Sequence, residues 1–589
     1  VAVTPLVKEE KRMHVATPEL IITGGHVPVL PVPAAAGGYG AVTEAGDAPE
    51  ASTVAVAGDR IVAVGGAEVL ALAGDATEII DARGGAILPG LNDGHLHFVA
   101  SAVARYGLAP LGTATTWAGV VELLNTYEPG DDGWIRAHGW DAAVLGDGGA
   151  EFFATARPDV PVAAYDQTGH QLLLNGAAME QLDLYTTPDV VGGTVSRDDA
   201  GRANGHFADA AMSLAGDALP PLPRALVKDA VLRHQADLHA MGITSLTEPG
   251  LGPAGSSLLS GACTDASLEL LADLAEAGEL TLRITALLLF SGTGGASAEA
   301  TREGLASGLP RLLDGRNIDP LQLRIGGVKV FADGTPRSGS AWMSDTYQTP
   351  CGHQHGQLVI QGDDDDARVA ELNGIISAVH SAGLQVGVHA TGDAATAAVV
   401  DAIVAAQAAD PRDGRHYVIH GAFTDDAAMA RLGEHGIGYS TNPAIRAAAG
   451  ALMLGVLGED RFTRHQPLAS ALEAGLPANI ASDAPVTSPD WRHSVIAAAT
   501  RDTTAGPGAE DAERIPLRTA LALMTGTPAW QDHAEADKGQ VAVGQLADLC
   551  VLTRPLPEDP RDLLDNPTAL TVSGGRIVYR HSTTHHTHD

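Results

Sequence analysis

The order of apolar and polar positions divides the chain into three regimes. Near the start, "STVAVAGDRIVAVGG" (52–66) holds two Val-rich runs around Gly58-Asp59, the pattern of a β-hairpin. "TEIIDARGGAILPG" (77–90) continues in the same style, and "ADLCVLTRP" (547–555) and "ALTVSGGRIVYR" (569–580) repeat it near the other end. The middle differs: short apolar runs alternate with Ala-rich segments of helical period, which predicts a parallel α/β domain. Eight runs read as its strands: 85–91, 242–247, 282–290, 323–331, 384–390, 416–422, 436–441 and 478–484. Helices fit between most of them, as in 363–383, which opens on four aspartates and closes on Gly383.

Eight such units predict a (β/α)8 TIM barrel within the α/β class. The two ends predict one small β-sandwich from residues 18–84 and 540–580, with the barrel over 85–539. The first connection is too long for a single helix, so residues 99–225 are expected to form an insertion, as a lid or a substrate-shaping subdomain.

That architecture gives meaning to a pair of neighbouring histidines. "LPGLNDGHLHF" (88–98) places His95 and His97 just after the first strand. Active sites of this fold lie at the C-terminal strand ends. Lys329 lies near the end of the fourth strand, His389 ends the fifth, His420 the sixth and Asp483 the eighth, so every candidate ligand falls on one rim. Neutral imidazole and carboxylate oxygen suit zinc and similar ions. A lysine among them repels a cation unless CO2 has converted it to a carbamate; the alternative for Lys329 is an ion pair with Asp333.

Two other His-x-His pairs compete. His586/His588 belongs to the tail "HSTTHHTHD", read as a floppy terminus or an appended tag. His353/His355, with Cys351, lies on the loop after the fourth strand; it could hold a structural zinc, but is read as a substrate-facing or structural loop.

Composition narrows the partners. With 36 Lys and Arg against 72 Asp and Glu, the net charge of −36 argues against a nucleic-acid partner. Three distant cysteines (Cys263, Cys351, Cys550) form no disulfide framework and fit a reducing compartment. Neither a signal peptide nor a run of about 18 apolar residues is evident, so a cytoplasmic chain with no membrane partner is expected. A homo-oligomer is left open.

The ordered motifs "LPGLNDGHLHF", "GGVKVFADGTPRSGSAW", "VGVHATGDAA", "YVIHGAF", "IASDAPVTSPDW" and "GQLADLCVL" resemble those of the amidohydrolase superfamily. They are most similar to the branch that includes N-substituted formamide deformylases, as are "GWD" (139–141) and "GHQLLLN" (169–175) in the insertion. The resemblance covers roughly residues 18–580. It implies a metal-dependent hydrolase of carbon–nitrogen bonds other than peptide bonds, with one or two divalent ions, zinc first. By position, His95, His97 and Asp483 would bind the more buried ion and His389 and His420 a second, bridged by a carbamate on Lys329. The chain departs from the branch at Ile419, where an acid is usual, at Asn442, where glutamine is common, and in "ANGHFAD" (203–209).

The implied chemistry is attack of metal-activated hydroxide on the carbonyl of a small, formamide-like N-substituted amide. Asp483 would be the catalytic residue that takes the proton and returns it to the leaving nitrogen. His170, Trp140 and Arg337 are candidate substrate contacts, with Trp134 and Leu172–Leu174 as candidate apolar walls. The competing readings are a hydrolase of cyclic amides, carbamates or ureas at the same site, and a non-catalytic binding protein on a retained barrel.

Overall fold

A computed structural model describes residues 16–31, 51–146, 148–190, 193–216, 218–253, 265–347, 355–508 and 511–581. Its centre is an eight-stranded parallel sheet rolled into a near-closed barrel. In chain order the strands are β1 (Leu91–Asp93), β2 (Ile243–Leu251), β3 (Arg283–Leu289), β4 (Leu323–Phe331), β5 (Gln385–Ala390), β6 (Tyr417–His420), β7 (Gly438–Thr441) and β8 (Ala478–Ile480). Each pairs with the next in sequence, as right-handed β–helix–β units require. Most of these strands are buried on both faces, which is why they read as continuous apolar runs. The helix after β4, Asp365–Ser381, is capped by the Asp364 carboxylate, which accepts the Ala367 N–H at 2.8 Å.

The first barrel strand differs from the expectation. The run 85–91 is divided: Ile87–Pro89 pairs antiparallel with Leu549–Leu552, and only Leu91–Asp93 enters the barrel. Gly90 is the break between them. A Cβ there would lie 2.1 Å from Thr244 Oγ1, so only glycine lets the chain cross from one sheet to the other.

Ile87–Pro89 thus completes a four-stranded sheet with Leu549–Leu552, Thr568–Ser573 and Arg576–Arg580. A second four-stranded sheet holds Leu20–Thr23, Thr53–Ala57, Arg60–Gly65 and Glu78–Asp81. Leu20, Ile22, Val54 and Val56 of one pack with Leu549, Val551, Leu570 and Val572 of the other. The hairpin turn falls at Gly58-Asp59, where Gly58 takes φ +59°.

Between β1 and β2 the chain builds a six-stranded sheet from Ala109–Pro110, Ile135–Trp140, Val162–Asp166, Gln171–Leu174, Gly193–Arg197 and Ala203–Asp209. Part of it has a core of its own around Trp117, Trp140 and Phe153. Among the described residues no helix is long and apolar enough to cross a membrane.

Candidate active site

The turn after β1 and the turn after β8 are stitched together. The Asp93 carboxylate accepts the His95 N–H at 3.1 Å and the Ser482 N–H at 3.2 Å. Asp483 N–H donates to the His95 carbonyl at 2.9 Å, and His97 N–H to the Ala484 carbonyl at 3.0 Å. Gly94 sits where a Cβ would lie 2.5 Å from Asn479 Oδ1, so the turn packs directly on β8. His420 and Asp483 both adopt left-handed backbone, at φ 70° and 56°. For non-glycine residues this is strained, and such conformations cluster at functional sites.

These turns aim polar groups at one buried point. Asp483 Oδ1 lies 3.2 Å from His95 Nε2 and 3.4 Å from His97 Nε2. One ligand atom each from His95, His420 and Asp483 lie within 4.8 Å of one another. His389 is next in line, its ring 4.6 Å from that of His420 and its Nε2 3.1 Å from the Gly334 carbonyl. His95 Nδ1, His97 Nδ1 and Lys329 Nζ are buried without a hydrogen-bond partner. Buried polar groups ordinarily have partners, so this cluster of orphans fits a bound cation. The donor set, imidazole and carboxylate, fits the same group.

The electrostatics agree. Burial, reinforced by the Lys329 charge, holds His95 well below the usual imidazole range. Burial and the neighbouring His420 do the same for His389, and burial pushes His420 to about 4. These imidazoles are therefore neutral, the form that binds a metal. Burial acts to raise the Asp483 carboxyl, but hydrogen bonding to His95 and His97 outweighs it, so the group stays ionised. Burial lowers the Lys329 amine to about 7, opposed by the Asp483 charge. Lys329 does not pair with Asp333, which instead accepts the backbone N–H groups of Thr391, Gly392 and Trp342, each at 2.9 Å. Lys329 Nζ lies 4.5 Å from the centre of the Phe331 ring.

The cluster opens into a cavity of about 280 Å³ lined by His389, His420 and Asp483. From the turns that follow strands Ile135–Trp140 and Val162–Asp166 come Asp141, Gln167, Thr168 and His170. His170 Nδ1 bonds Asp209 Oδ1 at 3.0 Å; burial opposes its charge, but Asp209 raises it above the ordinary value. Arg337 lines the same cavity, held by an ion pair to Asp141.

Other expected contacts lie elsewhere. Trp140 is only 2 % exposed, packed on Trp117, with its indole N–H donated to the Ala164 carbonyl at 2.9 Å. It stabilises the core of the insertion and does not line the cavity. Trp134 and Leu172–Leu174 are likewise buried in packing. The apolar wall comes instead from helix Pro443–Leu457, through Ile445, Ala448, Ala449, Leu452 and Met453. Cys351, His353, Cys263, His586 and His588 lie outside the described residues. His355 does not line the cavity. Its backbone carbonyl accepts the Met343 N–H at 2.6 Å.

Three further residues belong to the site. Asn442 Oδ1 meets His420 Nδ1 at 2.6 Å. Asp209 anchors His170, and Gln466 lines the cavity beside His465. Asn442 and the segment 203–209 that holds Asp209 stood out as departures from the branch pattern, whereas nothing local marked Gln466.

Fold and site together define a barrel protein with a buried cluster of histidines and an aspartate at its rim. Residues 78–579 match the Amidohydrolase family, and the chain belongs to that family. It is 26% identical over 525 residues to a putative amidohydrolase, YtcJ, of Bacillus subtilis, covering 86% of this chain and 91% of that protein. It is 25% identical over 528 residues to the N-substituted formamide deformylase of Arthrobacter pascens, covering 87% and 91%. Among solved structures, an uncharacterized metal-dependent hydrolase from Pyrococcus horikoshii superposes with a TM-score of 0.69 at 20% identity, over 96% of this chain and all of that one.

Proposed function

We propose that this protein hydrolyses the C–N bond of a small, neutral or cationic N-substituted amide of formamide type, using one or two divalent ions, zinc first. The observation that carries the reading is the convergence of His95, His97, His420 and Asp483, several nitrogens unpartnered, where a cavity meets the barrel rim. These four, with His389, would hold the metal. Lys329 would join as a carbamate: it is buried, lacks an acceptor, and at a pKa of about 7 has a large neutral fraction that can react with CO2. A divalent ion supplies Lewis acidity and lowers the pKa of water.

The chain supplies the rest. Asp483, ionised and facing the cavity, takes a proton from water and returns it to the leaving nitrogen. His170, anchored through Nδ1 by Asp209, has Nε2 left to donate to the substrate oxygen. Arg337 is neutralised by Asp141, so the cavity has no free cation among its described lining residues to clamp a substrate carboxylate. The apolar face of Pro443–Leu457 receives the amine substituent. The similarity to the formamide deformylase favours the formyl group.

The test is a panel of N-benzyl amides from formyl to butyryl, run beside N-acyl amino acids, cyclic imides, carbamates and ureas, with metal content measured in parallel. Selective cleavage of the formyl compound supports the reading. Activity confined to carboxylate-bearing or cyclic substrates overturns it. Enrichment with ¹³C-bicarbonate should give a carbamate NMR signal that is absent in Lys329→Ala.

A further inference from the structure

Gln466 is 2 % exposed, lines the cavity and carries an amide oxygen with no hydrogen-bond partner. An unpaired buried amide is costly. Its setting is costly as well. Gln466 takes φ 53° immediately before Pro467, where glycine would adopt the left-handed backbone without strain.

The protein fixes this arrangement firmly. Gln466 N–H donates to the Ala422 carbonyl at 2.7 Å, two residues beyond His420. The buried Arg501 guanidinium donates to the carbonyls of both Gln466 and His465 at 2.9 Å. His465 stacks on Phe423 at 5.0 Å and also lines the cavity. The backbone is thus held from both sides while the carboxamide oxygen is left unbonded.

We infer that Gln466 recognises the amine side of the substrate, accepting a hydrogen bond from an N–H or O–H carried on the N-substituent. This rests on the amide-hydrolase reading above. A formyl group has no side chain to recognise, so a cavity of about 280 Å³ beside it serves the nitrogen substituent. Helix Pro443–Leu457 offers only apolar contacts to that substituent through Ile445, Ala448, Ala449, Leu452 and Met453. Gln466 supplies a polar group on the same cavity. The substrate class is therefore an N-substituted amide with an apolar body and a hydrogen-bond donor beyond it, such as a hydroxyl or a second amide N–H.

The test compares matched N-alkyl and N-aralkyl formamides with and without a terminal hydroxyl or carboxamide, on wild type and Gln466→Met. Wild type should favour the donor-bearing member by about tenfold or more in kcat/KM, and Gln466→Met should erase that ratio. Equal kcat/KM for both members in wild type, or an unchanged ratio in Gln466→Met, overturns the inference. The variant removes an unsatisfied group, so its Tm without ligand should equal or exceed that of wild type. A marked fall would reveal a structural partner and also overturn the inference. Calorimetric binding of the corresponding free amines separates this inference from the reaction assigned. If no formamide is cleaved but donor-bearing amines bind wild type more tightly than Gln466→Met, the inference stands and the assigned reaction falls.

Discussion

Asn442 Oδ1 lies 2.6 Å from His420 Nδ1, and the Asn442 amide is itself fixed by donating to the Ala481 carbonyl at 3.1 Å. The contact assigns the proton of His420 to Nδ1 and leaves Nε2 to ligate. With the bond to Ala481, it ties the residue after β7 to His420 at the end of β6 and to the segment that follows β8. Asn442→Leu, which keeps the volume but removes the acceptor, should weaken metal affinity by about 10–100-fold. Competitive titration with a chromogenic chelator measures this, and wild-type affinity in the variant would remove Asn442 from the site.

Asp483→Asn keeps the shape and one oxygen but loses the base. Turnover should fall by roughly 10²–10⁴-fold, the usual contribution of a general acid–base group. Circular dichroism should show an intact fold. Near wild-type turnover would exclude Asp483 from proton transfer.

The metal should reside at the barrel rim and not in the His-rich terminus. Removal of residues 582–589 should leave stoichiometric metal and activity, whereas His95→Ala should lose both by elemental analysis and assay. Loss of activity on truncation would place the functional ion elsewhere.

Acid should destabilise the fold through a histidine pair at the opposite end of β6 from His420. Burial, then the neighbouring His380 and Arg412, pushes His416 down to about 3. Its Nε2 lies 2.7 Å from His380 Nδ1, and its Nδ1 accepts the Val386 N–H at 3.0 Å. The unfolded chain takes up this proton near pH 6.5, whereas the folded chain refuses it until about pH 3. The stability that depends on neutral His416 is therefore complete above about pH 6.5 and is lost progressively down to about pH 3. In His416→Asn, which keeps an acceptor for Val386, Tm should fall less between pH 8 and pH 5 than in wild type. Equal falls would show that His416 carries none of the pH dependence.

The barrel was legible because its strands are buried on both faces and therefore appear as unbroken apolar runs; 323–331 matches β4 residue for residue. The rim cluster was legible because polar residues interrupt those runs at their C-terminal ends, as His389 and His420 do. The division at Gly90 was hidden, since Ile87–Pro89 and Leu91–Asp93 are equally apolar and only tertiary pairing separates them. Trp140 misled for a related reason: a large aromatic near a site motif serves packing as readily as binding, and its indole N–H found a partner inside the insertion. Gln466 was invisible because its meaning depends on Arg501, Ala422 and a helix wall that are distant in sequence.

The joint between β8 and β1 has a consequence for how this protein can change. No ladder pairs those two strands; the contacts made by Asp93, His95, His97, Asp483 and Ala484 close the barrel there. The residues to which the proposed chemistry is assigned are therefore also the clasp of the architecture. Substitutions that retune the reaction at this edge must preserve a seam, while the cavity wall on Pro443–Leu457 is under no such obligation. New substrate preferences have a free route through that helix and a guarded one through the ligand turns.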